Sequence, residues 1–252
     1  MPRLLLAIES ATDWLSVALL EDERLVELRR SDEPRQHASA LLPAIDGLLT
    51  GAGIGLEDLG ALAVSVGPGS FTSLRIGLAT AKGLSFGRAL PAIGVPTLTA
   101  MALSVRSGSA AAETTADQVL ALLDAGRGEW YAAGWRRADV GAPWTTSVEE
   151  GLYAPGRLAA RLEGGSTSTL VVSPETSTWL PALEAAGVTL AGVVGGQPGR
   201  PSAEWVGRWA QRRLAQGASA RDHPLEARYV RRAQAEAQRL ADPVEAGRAH
   251  ES

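Results

Sequence analysis

Short apolar runs separated by polar turns predict that the chain begins with a three-stranded antiparallel meander. The runs 4–8, 16–20 and 24–28 are rich in leucine, valine and alanine, and the turns ATD and EDE lie between them. Such runs joined by tight turns are typical of β-hairpins. Further apolar runs predict buried strands over 59–66 and 92–95.

The first predicted helix covers residues 37–49, and Gly51 and Gly53 end it. Pro43 lies inside this pattern, where it either kinks the helix or belongs to its first turn. The apolar positions recur at the spacing of one helix face, at Leu41, Leu42, Ile45, Leu48 and Leu49.

Two more helices are predicted, over 71–86 with Ser70 as its N-cap and over 97–105. The helix over 71–86 contains several small residues, and each glycine inside a helix costs about 1 kcal/mol relative to alanine. Small residues allow another helix to approach closely, which would explain their presence here. That helix is either the one over 37–49 or a helix of a partner. The small residues are Gly77, Ala79, Ala81 and Gly83.

The second half repeats the opening order of strand, acid, turn and strand, which indicates two lobes of related topology. Residues 107–117 are small and polar and predict the connection between the lobes. The strand over 119–124 ends at Asp124, and the turn AGRG and the strand EWYAAGW follow it. Later elements are helices near 155–162, 178–186 and 201–214, strands near 170 and 188–194, and beyond 232 an exposed helix or a flexible tail.

Composition narrows the class of protein. The 252 residues are 45% apolar, which is ordinary for a globular chain long enough to bury a core. A formal net charge of −4 argues against strong independent binding of nucleic acid, which usually requires a basic surplus. There is no cysteine, no apolar run long enough for a membrane helix and no signal-peptide pattern, so a cytoplasmic protein is expected.

The segment SVGPGSFTSLRIG has the general form of a phosphate-binding loop that opens a helix, but it matches neither standard pattern. GxxxxGK[ST] is absent, and GxGxxG fails at Thr72. Two interpretations stay open. One is a tight turn capped by Ser70, and the other is an anion or nucleotide site that uses the free N–H groups of the turn. The candidate residues for such a site are Gly67, Gly69, Ser70, Thr72 and Arg75.

Glu9 and Asp124 each end a strand at the start of a lobe, where a carboxylate either helps to hold magnesium or caps the following turn. The three histidines are His37, His223 and His250, and none of them forms an HxxxH or HExxH pair. No metal site and no catalytic residue is therefore expected in this chain.

Several segments together resemble the TsaB (YeaZ) family, the non-catalytic subunit of the bacterial threonylcarbamoyladenosine tRNA-modification machinery. They are LLLAIESATDWLSVALLED, LGALAVSVGPGSFTSLRIGLATAKGLSFG, IGVPTLTAMA, LLDAGRGEWYAAGW and LEARYVRR. The resemblance implies an α/β, actin-like (ASKHA) fold of two RNase H-like lobes with mixed sheets flanked by helices. The expected divisions are a first lobe, a variable second lobe, a C-terminal segment that packs on the first lobe, and a flexible tail: 1–106, 107–200, 201–232 and 233–252.

The resemblance also implies partners. A TsaD-like catalytic subunit carries the HxxxH metal motif and transfers threonylcarbamoyl to the adenosine beside the tRNA anticodon, with a TsaE-like ATPase. The two first-lobe helices are expected to bind the TsaD-like subunit, or a second copy of the chain in its absence. Contact with tRNA is expected only within the complex, as are ATP or ADP and magnesium. The expected interface is His37, Leu41, Leu42, Ile45, Leu48, Leu74, Gly77, Leu78, Ala81 and Lys82.

Two residues depart from the family pattern. Glu9 stands where Asp is more frequent, which weakens a magnesium role, and Ser73 stands where Gly is usual. An actin-like-fold ATP-dependent kinase or ATPase is the alternative function, with Glu9 and Asp124 as its candidate acids. A metalloprotease is disfavoured by the absence of a histidine pair.

Overall fold

Two five-stranded sheets organise the chain, and both have the same strand order. The computed structural model describes residues 4–31, 33–106, 116–138, 142–162, 168–219 and 221–230.

The first lobe consists of a meander followed by alternating helices and strands. The meander is β1 (Leu4–Glu9), β2 (Ser16–Glu21) and β3 (Arg24–Arg30). The rest of the lobe is α1 (His37–Ala52), a 3₁₀ turn (Leu56–Asp58), β4 (Ala61–Gly67), α2 (Phe71–Arg88), β5 (Ala92–Pro96) and α3 (Thr97–Arg106).

The second lobe repeats this plan and is followed by a helix that returns to the first lobe. Its meander is β6 (Gln118–Asp124), β7 (Trp130–Arg136) and β8 (Thr145–Tyr153). The remaining elements are α4 (Pro155–Leu162), β9 (Thr169–Val172), α5 (Leu180–Ala185), β10 (Leu190–Val194) and α6 (Ala203–Ala215).

Strand pairing identifies the topology of each lobe. The first sheet has the order β3-β2-β1-β4-β5, with β1 antiparallel to β2 and parallel to β4. The second has the corresponding order β8-β7-β6-β9-β10, with β6 antiparallel to β7 and parallel to β9. A three-stranded meander extended by parallel strands is the RNase H-like arrangement, and its repetition in one chain gives the two-lobed actin-like fold. The predicted fold class is confirmed.

Most predicted elements of the first lobe lie within two or three residues of their observed bounds. The helix predicted over 37–49 continues to Ala52, so Gly51 is inside it and Gly53, at φ +69°, is its C-cap. Pro43 lies in the second turn of α1 rather than in its first. His37 is the first residue of the helix, and its side chain is buried.

One strand was not predicted. β8 (Thr145–Tyr153) has the sequence TTSVEEGLY and pairs with β7 at the edge of the second sheet. Three of its side chains are exposed and five are partly exposed, and only Val148 is buried. The edge position explains why its sequence carries little apolar signal.

α6 covers one face of the first sheet, although it follows the second lobe in sequence. Its small and branched residues Ala203, Val206 and Ala210 form a buried cluster with Leu5 and Leu20 of the first sheet. Further along the same helix, Trp209 is half-buried and Arg213 is exposed.

The residues after α6 form an extended segment over the parallel strands of the first lobe. The Gly94 N–H donates to the His223 carbonyl (2.9 Å), and the Arg228 N–H donates to the Val66 carbonyl (2.7 Å). The Arg228 guanidinium also pairs with Glu150 of β8 at 3.2 Å, which joins the segment to the second lobe. The expected tail at 233–252 and most of the expected linker at 107–117 lie outside the described residues.

Among the residues with assigned structure, no helix combines the length and the apolar character that crossing a bilayer requires.

Candidate functional site

The glycine loop between β4 and α2 owes its glycines to close packing within the chain. Gly67 has φ +107°, and a Cβ there would lie 3.0 Å from the Arg228 carbonyl oxygen. A Cβ on Gly69 would lie 2.1 Å from the Ala11 carbonyl oxygen. The close approach of two backbone segments accounts for both glycines without a ligand.

Hydrogen bonds within the chain occupy the backbone N–H and the hydroxyl of Ser70. The Ser70 N–H donates to the Ala11 carbonyl at 2.7 Å. The Ser70 hydroxyl accepts a hydrogen bond from the Ser73 N–H at 3.4 Å, which confirms Ser70 as the N-cap of α2. Thr72 is exposed on the first turn of α2. The tight-turn interpretation therefore explains the loop, and its use as an anion site remains a prediction.

Arg75 does not add its charge to the loop. Its guanidinium carbon lies 3.7 Å from the centre of the Phe71 ring, and its Nε donates to the Tyr229 hydroxyl at 3.0 Å. The rings of Phe71 and Tyr229 are 5.1 Å apart. Arg75 is thus held in an aromatic cluster that links α2 to the C-terminal segment.

The two strand-end acids lie in different environments. Glu9 is fully buried, and its Oε1 accepts a hydrogen bond from the Ala11 N–H at 2.5 Å. Burial raises the pKa of Glu9 from 4.5 to about 7, with hydrogen bonds from Ala11 and Ser65 opposing the rise. Asp124 is exposed and accepts a hydrogen bond from the Gly126 N–H at 2.7 Å. Both carboxyl groups cap the turns that follow them.

A cleft of about 590 Å³ lies between the lobes. It is lined by the β1–β2 turn, the glycine loop, the β6–β7 turn and the segment around residue 175. Its described carboxylates are Asp13, Asp124 and Glu175, and its cation is Arg200. The Arg200 guanidinium lies 3.5 Å from the centre of the Trp14 ring inside the cleft.

The described side chains that face this cleft include three carboxylates and one guanidinium, and the binding of ATP with magnesium there stays a prediction. The N–H groups of Ala11, Ser70 and Gly126 are already bonded to groups of the chain. In the described ranges, no three His, Asp or Glu side chains are grouped so that they could hold a metal ion.

The predicted interface residues on α1 and α2 are mostly core residues, which corrects their proposed role. Ile45 is 4% exposed and Leu74 is not exposed at all, so neither side chain can reach a partner. Ser10 of the same chain leaves no room for a side chain at position 77, because a Cβ on Gly77 would lie 2.1 Å from the Ser10 hydroxyl. The remaining buried members of the predicted set are His37, Leu41, Leu48, Leu78 and Ala81.

The outward faces of the two helices carry a different set of side chains. Leu42 is 58% exposed and Phe86 is 93% exposed, and Lys82 lies on the exposed face of α2. The sequence analysis predicted Leu42 and Lys82 but missed Phe86. The available signal was that Phe86 falls outside the apolar stripe that α2 turns towards the sheet, at Leu74, Leu78 and Ala81.

Comparison with known proteins decides the family. The Escherichia coli (strain K12) "tRNA threonylcarbamoyladenosine biosynthesis protein TsaB" is 38% identical over 175 residues, which are 69% of this chain and 73% of that protein. The chain belongs to the TsaB (YeaZ) family. A protein of the same description from Haemophilus influenzae is 43% identical over 131 residues, or 50% of this chain and 51% of that protein.

A solved structure of the same family is similar to this chain, and the model of a second family, TsaD, matches its sequence. The solved structure of YeaZ from Pseudomonas aeruginosa has a TM-score of 0.73 and 26% identity, and the match covers 90% of this chain and 99% of that chain. The model of the family "TsaD: tRNA N6-adenosine threonylcarbamoyltransferase" matches residues 31–173. A TsaB chain is thus similar in sequence to the family of transferases.

Proposed function

We propose that the chain is the scaffold and activator subunit of a tRNA threonylcarbamoyladenosine complex and that it binds a TsaD-like catalytic subunit. The observation that carries this proposal is the exposure of large apolar side chains on α1 and α2, at Leu42 and Phe86. Apolar side chains at this level of exposure become favourable when a partner covers them, by about 1.5–3 kcal/mol each.

The catalytic step belongs to the partner in this proposal. Threonylcarbamoyl transfer in the TsaD-like subunit uses an HxxxH metal motif, and the histidines of this chain stand at positions 37, 223 and 250. His37 is buried at the start of α1, where burial lowers its pKa and the neutral ring is favoured. Its role is to support the helix that carries Leu42.

The same surface would form a homodimer when the partner is absent. A TsaE-like ATPase and tRNA would join only the assembled complex, and ATP or ADP with magnesium would act there rather than in the cleft of the isolated chain. A cytoplasmic location follows from a role in tRNA modification.

The test is a binding titration between the purified chain and the TsaD-like subunit of the same organism. We expect Leu42→Asp and Phe86→Asp each to weaken binding at least about tenfold, because a charge would be buried at the interface. Val26→Asp is the matched control, since Val26 is an exposed apolar residue of β3 and belongs to neither helix. It should bind like the unmodified chain.

Each variant is first checked for its fold by circular dichroism. Tight binding by both folded interface variants would place the partner on another surface. Reconstituted tRNA modification provides the second readout, and it should fall in parallel with binding.

A further inference from the structure

A second cavity, of about 320 Å³, lies where α6 begins and is separate from the helices α1 and α2. Elements of both lobes contribute polar groups to its wall. No Asp or Glu occurs among the described residues that line it. The polar residues used below are Arg30, Arg200, Ser16, Ser31, Ser104 and Ser202.

The charge of this cavity is opposite to that of the whole chain. The chain carries a formal net charge of −4, yet the charged residues in the wall are Arg30 and Arg200. Neither forms an ion pair with another residue in the described part of the chain. Arg200 is held in place by the ring of Trp14, 3.5 Å below its guanidinium. The described wall of this cavity thus holds two guanidinium groups and no carboxylate, which favours an anionic ligand, and Arg200 also borders the cleft that contains Asp13, Asp124 and Glu175.

The N-terminus of α6 points at the same space. Ser202 is the N-cap of this 13-residue helix and has an extended backbone, with φ −139° and ψ 139°. The Ala203 N–H is bonded to the Ser16 hydroxyl at 2.9 Å. The aligned peptide dipoles of the helix make its first turn favourable for negative charge.

The Ser202 hydroxyl is an independent observation that points to a ligand in this cavity. An N-cap serine normally accepts a hydrogen bond from the first turn of its helix, but the Ser202 side chain makes no such bond. The residue is 8% exposed, and its hydroxyl is buried without a hydrogen-bond partner among the described residues. A buried hydroxyl without a partner is unfavourable, and a ligand that accepts its hydrogen bond would remove that cost.

We propose that this cavity binds a tetrahedral oxyanion of the phosphate type. Arg30 and Arg200 supply the charge, and the Ser202 hydroxyl supplies a hydrogen bond. Ser16, Ser31 and Ser104 complete a wall of hydroxyl groups. The proposal does not depend on the binding of a TsaD-like partner, because none of these residues lies on α1 or α2.

Isothermal titration of inorganic phosphate into the full chain, in chloride buffer of constant ionic strength, tests the site. We expect saturable binding that Arg30→Gln weakens roughly tenfold, because a charge-assisted contact is lost. Ser202→Ala should weaken it severalfold without lowering the melting temperature. Arg29→Gln is the matched control, since Arg29 is next in β3, pairs with Glu27 at 2.7 Å and does not line the cavity. It should bind like the unmodified chain.

A parallel titration with AMP distinguishes free phosphate from a phosphate ester. Binding of either probe that both Arg30→Gln and Ser202→Ala weaken supports the site and names its ligand. The absence of saturable heat with both probes up to about 10 mM would overturn the proposal. Binding that neither variant weakens would also overturn it, because the anion would then lie elsewhere.

Discussion

Glu9 ends the first strand with its carboxyl group entirely removed from water. One oxygen caps the following turn at Ala11, and the other has no hydrogen-bond partner in the described structure. Burial of this kind disfavours the charged form, and the pKa of Glu9 rises from 4.5 to about 7. Glu9 is therefore a structural acid whose charge opposes folding at neutral and higher pH.

Glu9→Gln should change how stability depends on pH. The folded chain keeps the Glu9 proton up to about pH 7, whereas the unfolded chain releases it near pH 4.5. The stability of the unmodified chain therefore falls as pH rises through this window. Relative to it, Glu9→Gln should gain roughly 2–3 kcal/mol between about pH 5 and about pH 8.

Urea unfolding of both proteins at the two pH values measures this difference, and the other titrating groups cancel in the comparison. Parallel stability curves for the two proteins would show that Glu9 ionises normally.

Two glycines at helix α2 have opposite environments. Gly69 precedes the N-cap of the helix, and Gly83 lies on its exposed face. Gly69 touches the backbone of Ala11, whereas nothing lies within 4 Å of a Cβ on Gly83. Gly69→Ala should destabilise the chain by roughly 2 kcal/mol, because the Ala11 carbonyl oxygen cannot move away without breaking its bond to Ser70.

Gly83→Ala is the control within the same element, and it should stabilise the chain by about 0.5–1 kcal/mol through helix propensity. Chemical denaturation of the two variants beside the unmodified chain measures both effects. Equal effects of the two substitutions would contradict the packing explanation of the loop.

The elements also show what periodicity can and cannot predict. The apolar face predicted for α1 comprised Leu41, Leu42, Ile45, Leu48 and Leu49, and all of these are buried except Leu42, which is exposed. Periodicity identified that face as apolar but could not tell that it meets the sheet of its own lobe rather than a partner. Only side chains that point away from the sheet can contact a partner. Leu42 and Phe86 are such side chains, and both lie outside the buried apolar face of their helix.

Strand β8 and the oxyanion cavity escaped the sequence analysis for related physical reasons. β8 is an edge strand whose exposed face carries Thr, Ser and Glu, so its composition resembles that of a loop. Arg30 is far in sequence from Arg200 and Ser202, and the three meet only because α6 returns to the first lobe. The order of strand, acid, turn and strand is contained in a short stretch of sequence in each lobe. The two-lobed architecture could therefore be predicted from the sequence.

At the scale of the whole molecule, the segment 221–230 ties the two lobes together. It bonds to β4 and β5 of the first lobe and pairs Arg228 with Glu150 of the second. Leu225 and Ala227 pack against the core of the first lobe. Burial raises the pKa of Glu150, and Arg228 partly offsets this rise.

A chain that ends at residue 219 should melt at least about 5 °C below a chain that ends at residue 230, because it loses these bonds and their apolar contacts. Comparison of the two truncations isolates the segment from everything that follows it. Equal melting temperatures would mean that the segment rests on the surface without contributing to stability.

The return of α6 to the first sheet has a consequence for synthesis on the ribosome. Leu5, Ala7 and Leu20 emerge early, but the residues that cover them, Val206 and Ala210, emerge only after the whole second lobe. The second lobe has all its strands available sooner and can close first. The nascent first lobe must therefore keep one apolar face open through most of translation, and a pause before residue 203 would leave that face available to chaperones.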